Sequence, residues 1–266
     1  MKTYLSAAAL MLAILCASVC HAKSPEGAIA AATDKAAAAK TDNTEKADAE
    51  DKFVPLFDGK TLKGWWPHTG VPTFHVGGKF EVIDGNIVAM QDPPGKGGFL
   101  ATKDRYGDFV IRLEVKMDYP SDSGVFLRMG EDGKSHQVTL DNRPDGDFGA
   151  IYLPWTQSSV LKSPEGIKSF KQKEWNDVQI KIEGEPARIQ FWLNGTKVTD
   201  FQHTAETTKG VPRAGYIGLQ IHPTVTTHVN YKEGNQVCYR NIRIESLDKE
   251  KLGIGEKAKE SESAKK

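Results

Sequence analysis

One stretch of the chain, Asp108–Met117, constrains the fold more than any other. Every second residue in it is large and apolar, and most residues between them are charged. Successive side chains of a β-strand point to opposite faces of the sheet, so a period of two residues is typical of a strand that buries one face. The chain is therefore predicted to contain a long strand that packs on a core with one side only.

Two dipeptides predict tight hairpins between neighbouring strands. Asp84-Gly85 lies within the apolar stretch Glu81–Val88, and Asn194-Gly195 separates Arg188–Leu193 from Lys197–Phe201. Asp-Gly and Asn-Gly favour the two-residue turns of β-hairpins, because both positions of such a turn take a positive φ. Each dipeptide is therefore expected to join two antiparallel strands.

The remaining apolar stretches predict further strands and no amphipathic helix of three turns. They are Val125–Met129, His136–Asp141, Val178–Ile182, Ile217–His222 and Val237–Ile244. About ten short strands with frequent turn signals predict an all-β sandwich or barrel. Such a fold can leave one sheet face free for a ligand.

The balance of charge argues against a nucleic-acid partner. Lys and Arg together number 35, as do Asp and Glu, so the formal net charge is zero. A chain with no excess of positive charge, and with no basic stripe interleaved with aromatic residues, is not predicted to bind nucleic acid.

Residues 1–22 have the features of a secretory signal peptide. Lys2 supplies a positive end, Leu5–Val19 is almost wholly apolar, and Cys20-His21-Ala22 offers small residues for cleavage after Ala22. The apolar run is shorter than the roughly 20 residues that a spanning helix needs, so no transmembrane segment is predicted. The alternative is a lipoprotein cut before Cys20. Either way, the mature protein is expected to be secreted or periplasmic.

Two segments are predicted to be disordered arms. Residues 23–52 are rich in Ala, Lys, Asp, Glu and Thr, and residues 248–266 are mostly charged. Segments that are poor in large apolar side chains cannot offset the entropy lost on ordering the chain. The globular domain is therefore predicted to span residues 53–247.

Strand alternation also predicts which side chains share the free sheet face. Gln220 and His222 lie opposite an apolar set and on the same side as Gly218, and a small residue beside polar ones leaves room for a ligand. An ordinary solvated sheet face is the alternative. The full polar set predicted for this face is Arg128, Gln137, Thr139, Asp141, Gln220 and His222.

The chain resembles the 3-keto-disaccharide hydrolase family along nearly the whole predicted domain. The matching segments, in order, are Phe53–Trp65, Tyr106–Phe109, Ser123–Arg128, Gly149–Tyr152, Glu174–Asn176, Trp192–Gly195, Gly218–His222 and Tyr239–Ile244. The resemblance implies a concanavalin-like jelly-roll β-sandwich, export, and action on glycosides oxidised to a ketone at carbon 3. One departure concerns His136–Thr139, where many members carry a Glu-x-Gln pair and this chain has no glutamate. A non-catalytic carbohydrate-binding module is therefore a second hypothesis, and an exported interaction domain is a third.

A ketone at carbon 3 makes the proton on carbon 2 acidic, and the resulting enolate can expel the glycosidic oxygen from carbon 1. The reaction needs a base, a donor for the enolate oxygen and an acid for the leaving group. His222 is the predicted base, with Asp141 as the alternative base or as an orienting group. Arg128 is the predicted donor to the enolate oxygen. The predicted substrate-binding residues are Gln137, Gln220 and Trp155.

No cofactor is predicted, although one loop offers oxygen ligands. Asp145 and Asp147 follow Asp141 closely, and carboxylates at such spacing could hold a calcium ion. Asx turns produce the same pattern, so a metal is the weaker interpretation. The paired Glu-x-Asp-x-x-Glu carboxylates of ordinary glucanases do not occur in this chain.

Overall fold

The alternating stretch that opens the sequence analysis forms a nine-residue strand, β6, in a computed structural model of the chain. The structure describes residues 52–68, 77–224, 232 and 234–248. The predicted signal peptide, nearly all of the predicted first arm, and the second arm beyond Asp248 lie outside the described residues. All described residues belong to one unit, Ala49–Lys266.

The described part of the chain forms strands and two short helices. The strands are β1 (Val54–Pro55), β2 (Trp65–His68), β3 (Lys79–Ile83), β4 (Asn86–Met90), β5 (Gly98–Thr102), β6 (Phe109–Met117), β7 (Asp122–Met129), β8 (His136–Asp141), β9 (Ile151–Leu153), β10 (Ser158–Leu161), β11 (Asn176–Glu183), β12 (Arg188–Leu193), β13 (Thr196–Gln202), β14 (Tyr216–Ile221) and β15 (Gln236–Ser246). The helices are α1 (Pro164–Ser169) and α2 (Ala205–Thr208). Both helices are shorter than three turns, as expected. No described helix is long and apolar enough to cross a bilayer.

The strands form two antiparallel sheets. The first sheet has the order β13-β12-β11-β6-β15-β4-β3, with β1 paired to β15. The second sheet has the order β10-β9-β8-β7-β14-β5-β2. The chain changes sheets several times. Some neighbours in a sheet follow each other in sequence, as β11, β12 and β13 do, whereas β6 pairs with β15 and β7 pairs with β14, which are distant in sequence. This is the predicted all-β jelly-roll sandwich.

The core lies between the two sheets and consists of the inward-facing member of each alternating pair. Leu127, Leu140, Leu219 and Ile221 alternate along their strands with the polar set predicted for the free face, and each is fully buried in the main apolar cluster. From the first sheet, Ile111 and Ile180 belong to the same cluster, which confirms the period-two pattern there.

The two predicted hairpins are confirmed. Asp84-Gly85 joins β3 to β4 with φ angles of 50° and 77°, and Asn194-Gly195 joins β12 to β13 with 51° and 81°. Positive φ at both positions is the turn geometry that matches the twist of antiparallel strands.

Asp248, one residue beyond the predicted domain boundary at Leu247, makes several contacts with the domain. The carboxylate of Asp248 accepts hydrogen bonds from the backbone N–H groups of Gly107, at 3.2 Å, and Asp108, at 3.1 Å. It also lies 3.6 Å from the Arg213 guanidinium. The end of the described chain is therefore tied to the start of β6.

Candidate functional site

A cavity of about 500 Å³ opens on the face of the second sheet that points away from the core. Its walls come from β7, β8, β9, β10 and the residue after β14, together with the loop between β8 and β9. The lining residues are Asp122, Phe126, Gln137, Thr139, Asp141, Arg143, Asp145, Asp147, Ala150, Tyr152, Pro154, Gln157, Ser159, Lys162, Gln220 and His222.

Three titratable side chains lie in one row across adjacent strands. Asp122 at the start of β7 is directly opposite Asp141 at the end of β8. On the other side, the backbone N–H of His222 donates to the carbonyl of Asp122 at 3.3 Å. The His222 Nε2 atom lies 3.9 Å from Asp122 Oδ2. The row thus combines an imidazole and two carboxyl groups within the cavity.

The imidazole of His222 is oriented by its own chain neighbour. Its Nδ1 atom lies 2.7 Å from the carbonyl oxygen of Pro223. A carbonyl can only accept, so we infer that Nδ1 carries the hydrogen in the neutral ring. The lone pair of the neutral ring is then on Nε2, the atom that points toward Asp122.

Arg143 holds the two carboxyl groups together. Its Nε and Nη2 atoms donate to the two oxygens of Asp141 at 2.8 and 2.6 Å, and Nη2 lies 3.2 Å from Asp122 Oδ2. Such a two-bond contact between guanidinium and carboxylate is strong and directional. It occupies both oxygens of Asp141.

Asp122 has a different electrostatic environment from Asp141. Burial disfavours its carboxylate form and raises the pKa of Asp122 to about 6. The negative charge of Asp141 acts in the same direction, while His222 and Arg143 act against it. Asp122 is thus the cavity carboxyl group that can hold a proton close to neutral pH.

Two glutamines form a polar pair beside this row. Gln137 Nε2 donates to Gln220 Oε1 at 3.2 Å, and both side chains are buried. A Cβ atom at Gly124, between them on β7, would lie 2.3 Å from Gln137 Nε2. The glycine therefore leaves the space that the amide pair occupies.

Tyr152 adds a hydroxyl group to the cavity wall from β9. Burial raises the pKa of Tyr152, with a smaller contribution from the charge of Asp122. The phenol is therefore neutral at physiological pH and can donate a hydrogen bond.

Arg128 does not share the cavity face, and this prediction is wrong. Arg128 has a φ of 53°, and the pairing of β7 with β14 shifts register between Tyr216 and Gly218. This β-bulge reverses the alternation, so Met129 packs with Phe126 in a small cluster on the cavity face. The side chain of Arg128 is 1% exposed and pairs with Asp108 at 2.5 Å.

Trp155 also lies elsewhere than expected. It is half-buried and absent from the cavity lining, although its neighbour Pro154 lines it. Its ring contacts His136 edge-on, with centroids 6.4 Å apart. His136 in turn lies 4.0 Å from the ring of His203, so Trp155 covers a buried histidine pair.

The acidic loop has internal partners. Asp147 Oδ1 accepts from the backbone N–H of Ser163 at 2.5 Å, and Oδ2 lies 3.6 Å from Lys162 Nζ. Asp145 is exposed at the rim. Within the described part of the chain, no group of three or more His, Cys, Asp or Glu side chains is arranged to hold a metal ion.

The structure thus brings together four of the six predicted site residues: His222, Asp141, Gln220 and Gln137. Sequence reasoning missed Asp122, Tyr152 and Arg143 as members of the site. Asp122 could have been found by extending the alternation of β7 two residues before Gly124. Arg143 lies in a loop, where no periodic signal exists.

Comparison with known proteins agrees with this architecture. Residues 52–245 match the sequence profile of a family described as the 3-keto-alpha-glucoside-1,2-lyase-like domain. The chain belongs to this family. A relative from Bacteroides thetaiotaomicron, the 3-keto-disaccharide hydrolase, is 24% identical over 259 residues, covering 79% of this chain and 84% of the relative.

Two solved structures are similar to this family member in their fold. A Parabacteroides distasonis protein, assigned as a glycosyl hydrolase, is 26% identical with a TM-score of 0.51, covering 74% of this chain and 100% of that one. A Bacillus subtilis protein with a galectin-like fold is 11% identical with a TM-score of 0.50, covering 70% of this chain and 90% of that one. The second likeness concerns the sandwich fold alone.

Proposed function

We propose that this protein is an exported enzyme that cleaves 3-keto-glycosides by removing the proton on carbon 2. One observation carries the proposal: the His222 Nε2 atom lies 3.9 Å from the carboxyl group of Asp122, whose pKa is raised to about 6, inside a cavity of about 500 Å³. Two titratable groups side by side in a cavity, one of them with a shifted pKa, are typical of acid–base catalysis. Membership of the family supplies the ketone substrate class.

The proposed reaction has two bond-breaking steps. His222 Nε2 takes the proton from carbon 2, and the electron pair of that bond forms the enolate of the carbon 3 ketone. The enolate then forms the double bond between carbons 1 and 2 and expels the glycosidic oxygen, which receives the Asp122 proton. The products are an unsaturated keto sugar and the free aglycone. A proton transferred from His222 to Asp122 restores the starting state, and later addition of water to the double bond completes a hydrolysis.

The other cavity residues bind and orient the substrate in this proposal. Tyr152 replaces Arg128 as the donor to the enolate oxygen, because its neutral hydroxyl lines the cavity and the guanidinium does not. The amide pair of Gln137 and Gln220 binds sugar hydroxyls. Asp141, held by Arg143, acts through that guanidinium on Asp122 and is a positioning residue.

Carbohydrate binding without catalysis is the second candidate function. The observation that favours it is the bidentate contact of Arg143 with Asp141, which removes one of the predicted bases from the chemistry. A buried amide pair beside a cavity is equally suited to holding a sugar without cleaving it.

Release of 4-nitrophenol from a 3-keto-glucoside by the full chain separates the two candidates. His222→Gln keeps hydrogen bonding but cannot accept a proton, and positioned general-base catalysis contributes about 10²–10⁴-fold, so kcat should fall by that factor with little change in binding. Asp177→Asn, on the exposed face of β11, is the matched surface control. Binding without turnover by the parent would reject catalysis and favour the binding module.

Export is a separate part of the proposal. The mass of the protein recovered from outside the cytoplasm should correspond to a chain that begins at Lys23. A chain that keeps residues 1–22, or that begins at a lipidated Cys20, would contradict the predicted cleavage.

A further inference from the structure

The spacing of the proposed base and acid bears on the stereochemistry of the substrate. His222 directly follows β14 and Asp122 begins the neighbouring β7, a backbone hydrogen bond joins the two residues, and their reactive atoms are 3.9 Å apart. The bond from His222 Nδ1 to the Pro223 carbonyl limits rotation of the ring. Both groups therefore approach a bound sugar from the same wall of the cavity.

Elimination across opposite faces of the sugar ring needs a wider spacing. The base must reach the hydrogen on carbon 2 from one face, and the acid must reach the oxygen on carbon 1 from the other. Each reach is about 3 Å, so the two groups would be separated by more than about 6 Å with the ring between them. Elimination on one face needs no ring between the groups, and 3.9 Å suits it. The spacing of two carboxylates predicts stereochemistry in glycosidases by the same reasoning.

No other described carboxyl group at this wall is a suitable acid. Asp141 has both oxygens bound by Arg143. Asp147 accepts a backbone hydrogen bond, and Asp145 is exposed at the rim. Tyr152 remains as a donor two strands away from Asp122, and it would be the acid only if elimination used the opposite face.

We infer that the cavity selects 3-keto-glucosides with a β linkage. In a sugar of gluco configuration, the hydrogen on carbon 2 and a β-linked oxygen on carbon 1 point to the same face of the ring, whereas an α-linked oxygen points to the opposite face. This inference rests on the proposed function. It distinguishes the chain from the α-glucoside chemistry that its family's description names.

A pair of anomers tests the inference with the full chain. The methyl α- and β-glycosides of 3-keto-glucose share one poor leaving group, so departure depends on the acid. The β anomer should be cleaved with a kcat/KM at least about 100-fold higher, the lower range of general-acid contributions. Methanol release and the ultraviolet absorbance of the unsaturated keto sugar are measured together.

A variant separates the role of the acid from a structural role. Asp122→Asn should slow cleavage of the methyl β-glycoside by about 100-fold or more. It should slow cleavage of the 4-nitrophenyl β-glycoside much less, because nitrophenolate leaves without a proton. Equal losses on both substrates would mean that Asp122 does not protonate the leaving group, and would overturn the inference.

The outcomes distinguish the inference from the function on which it rests. Equal cleavage of the two anomers, or preference for the α anomer, would overturn the inference and leave the proposed function intact, with Tyr152 as the acid. No cleavage of either methyl glycoside or of the 4-nitrophenyl glycosides would reject the proposed function, and the inference with it.

Discussion

Two arginines of this protein, Arg128, which is buried, and Arg143, which is half-buried, make similar contacts in different surroundings. Arg143 pairs with Asp122 and Asp141, and all three side chains line a cavity. Arg128 pairs with Asp108 and donates to two backbone carbonyls, and it does not line that cavity. A buried charge is thus no indication of a functional site by itself. What distinguishes Arg143 is that the carboxyl groups it holds also face open space.

Of the changes that test this comparison, removal of the Arg128 side chain should have the largest effect. Arg128→Ala removes a buried guanidinium that donates to Asp108 and to the carbonyls of Gly107 and Gly184, while Asp108 keeps its contact with Arg213 at 2.7 Å. Hydrogen bonds to charged groups contribute about 1.5–3 kcal/mol each, so the free energy of unfolding should fall by about 3 kcal/mol or more. Thermal melting should therefore occur about 10 °C lower or more. Residual turnover per folded molecule should stay near that of the parent.

The exposed Arg188 and Asp200 pair provides the control for Arg128. Arg188→Ala should change the free energy of unfolding by less than about 1 kcal/mol, because surface pairs are screened by water. If Arg128→Ala melted at the same temperature as the parent, the contacts of Arg128 would not stabilise the fold.

The next effect concerns the removal of Asp248, whose carboxylate binds the backbone N–H of Asp108, the partner of Arg128. A chain of residues 53–248 should melt like the full mature protein. A chain of residues 53–247 loses the charged acceptor of two backbone N–H groups, and hydrogen bonds to charged groups contribute about 1.5–3 kcal/mol. Its melting temperature should be lower by about 6 °C. Identical melting of the two truncated chains would mean that the Asp248 contacts do not stabilise the domain.

Acid should weaken the packing around the buried histidines His136 and His203. Burial is the main cause that lowers the pKa of His136 to about 2 and of His203 to about 4, and Arg128 adds to both. The unfolded chain binds protons at these histidines below about pH 6.5, and the folded chain does not. Their contribution to stability is complete above pH 6.5 and is lost as pH falls toward 4.

Melting curves measured between pH 7 and pH 4 test this expectation. The parent should lose about 5 °C over that interval. His203→Phe removes one titrating group while keeping a flat ring, so its melting temperature should depend less on pH. An unchanged dependence in this variant would assign the acid sensitivity to other groups.

The smallest effect concerns Arg143 and is a shift of a pH profile. Asp122 acts as a protonated acid in the proposed reaction, so turnover falls as pH rises through its pKa. Arg143→Gln removes a cation that stabilises the carboxylate, so the pKa of Asp122 should rise further. The falling limb of kcat should move to higher pH by about one unit. Arg188→Gln is the control and should leave the pH profile of kcat unchanged. A falling limb that moves to lower pH in Arg143→Gln would contradict the assignment of Asp122 as the acid.

The site could be predicted from the sequence where the strands are regular. Gln137 and Asp141 on β8, and Gln220 on β14, share a face because no bulge interrupts the pattern between them. The pattern failed at Arg128 because one extra residue in β7 reverses every side chain after it, and no residue type announces that position. The prediction for Trp155 failed for another reason, because the direction of a side chain in a loop depends on the residues that pack around it. Arg143 could not be found, because its role depends on carboxylates from two other strands.

The contact between His222 and Pro223 has a consequence for how proteins of this kind diverge. The acceptor for the His222 ring is a backbone carbonyl of the very next residue, and a backbone carbonyl is present whatever side chain that residue carries. The pKa of Asp122 depends on side chains from two other segments, one with Asp141 and Arg143 and one with His222. Substitutions in those two segments can therefore shift the pKa of Asp122 while the His222 ring keeps its orientation.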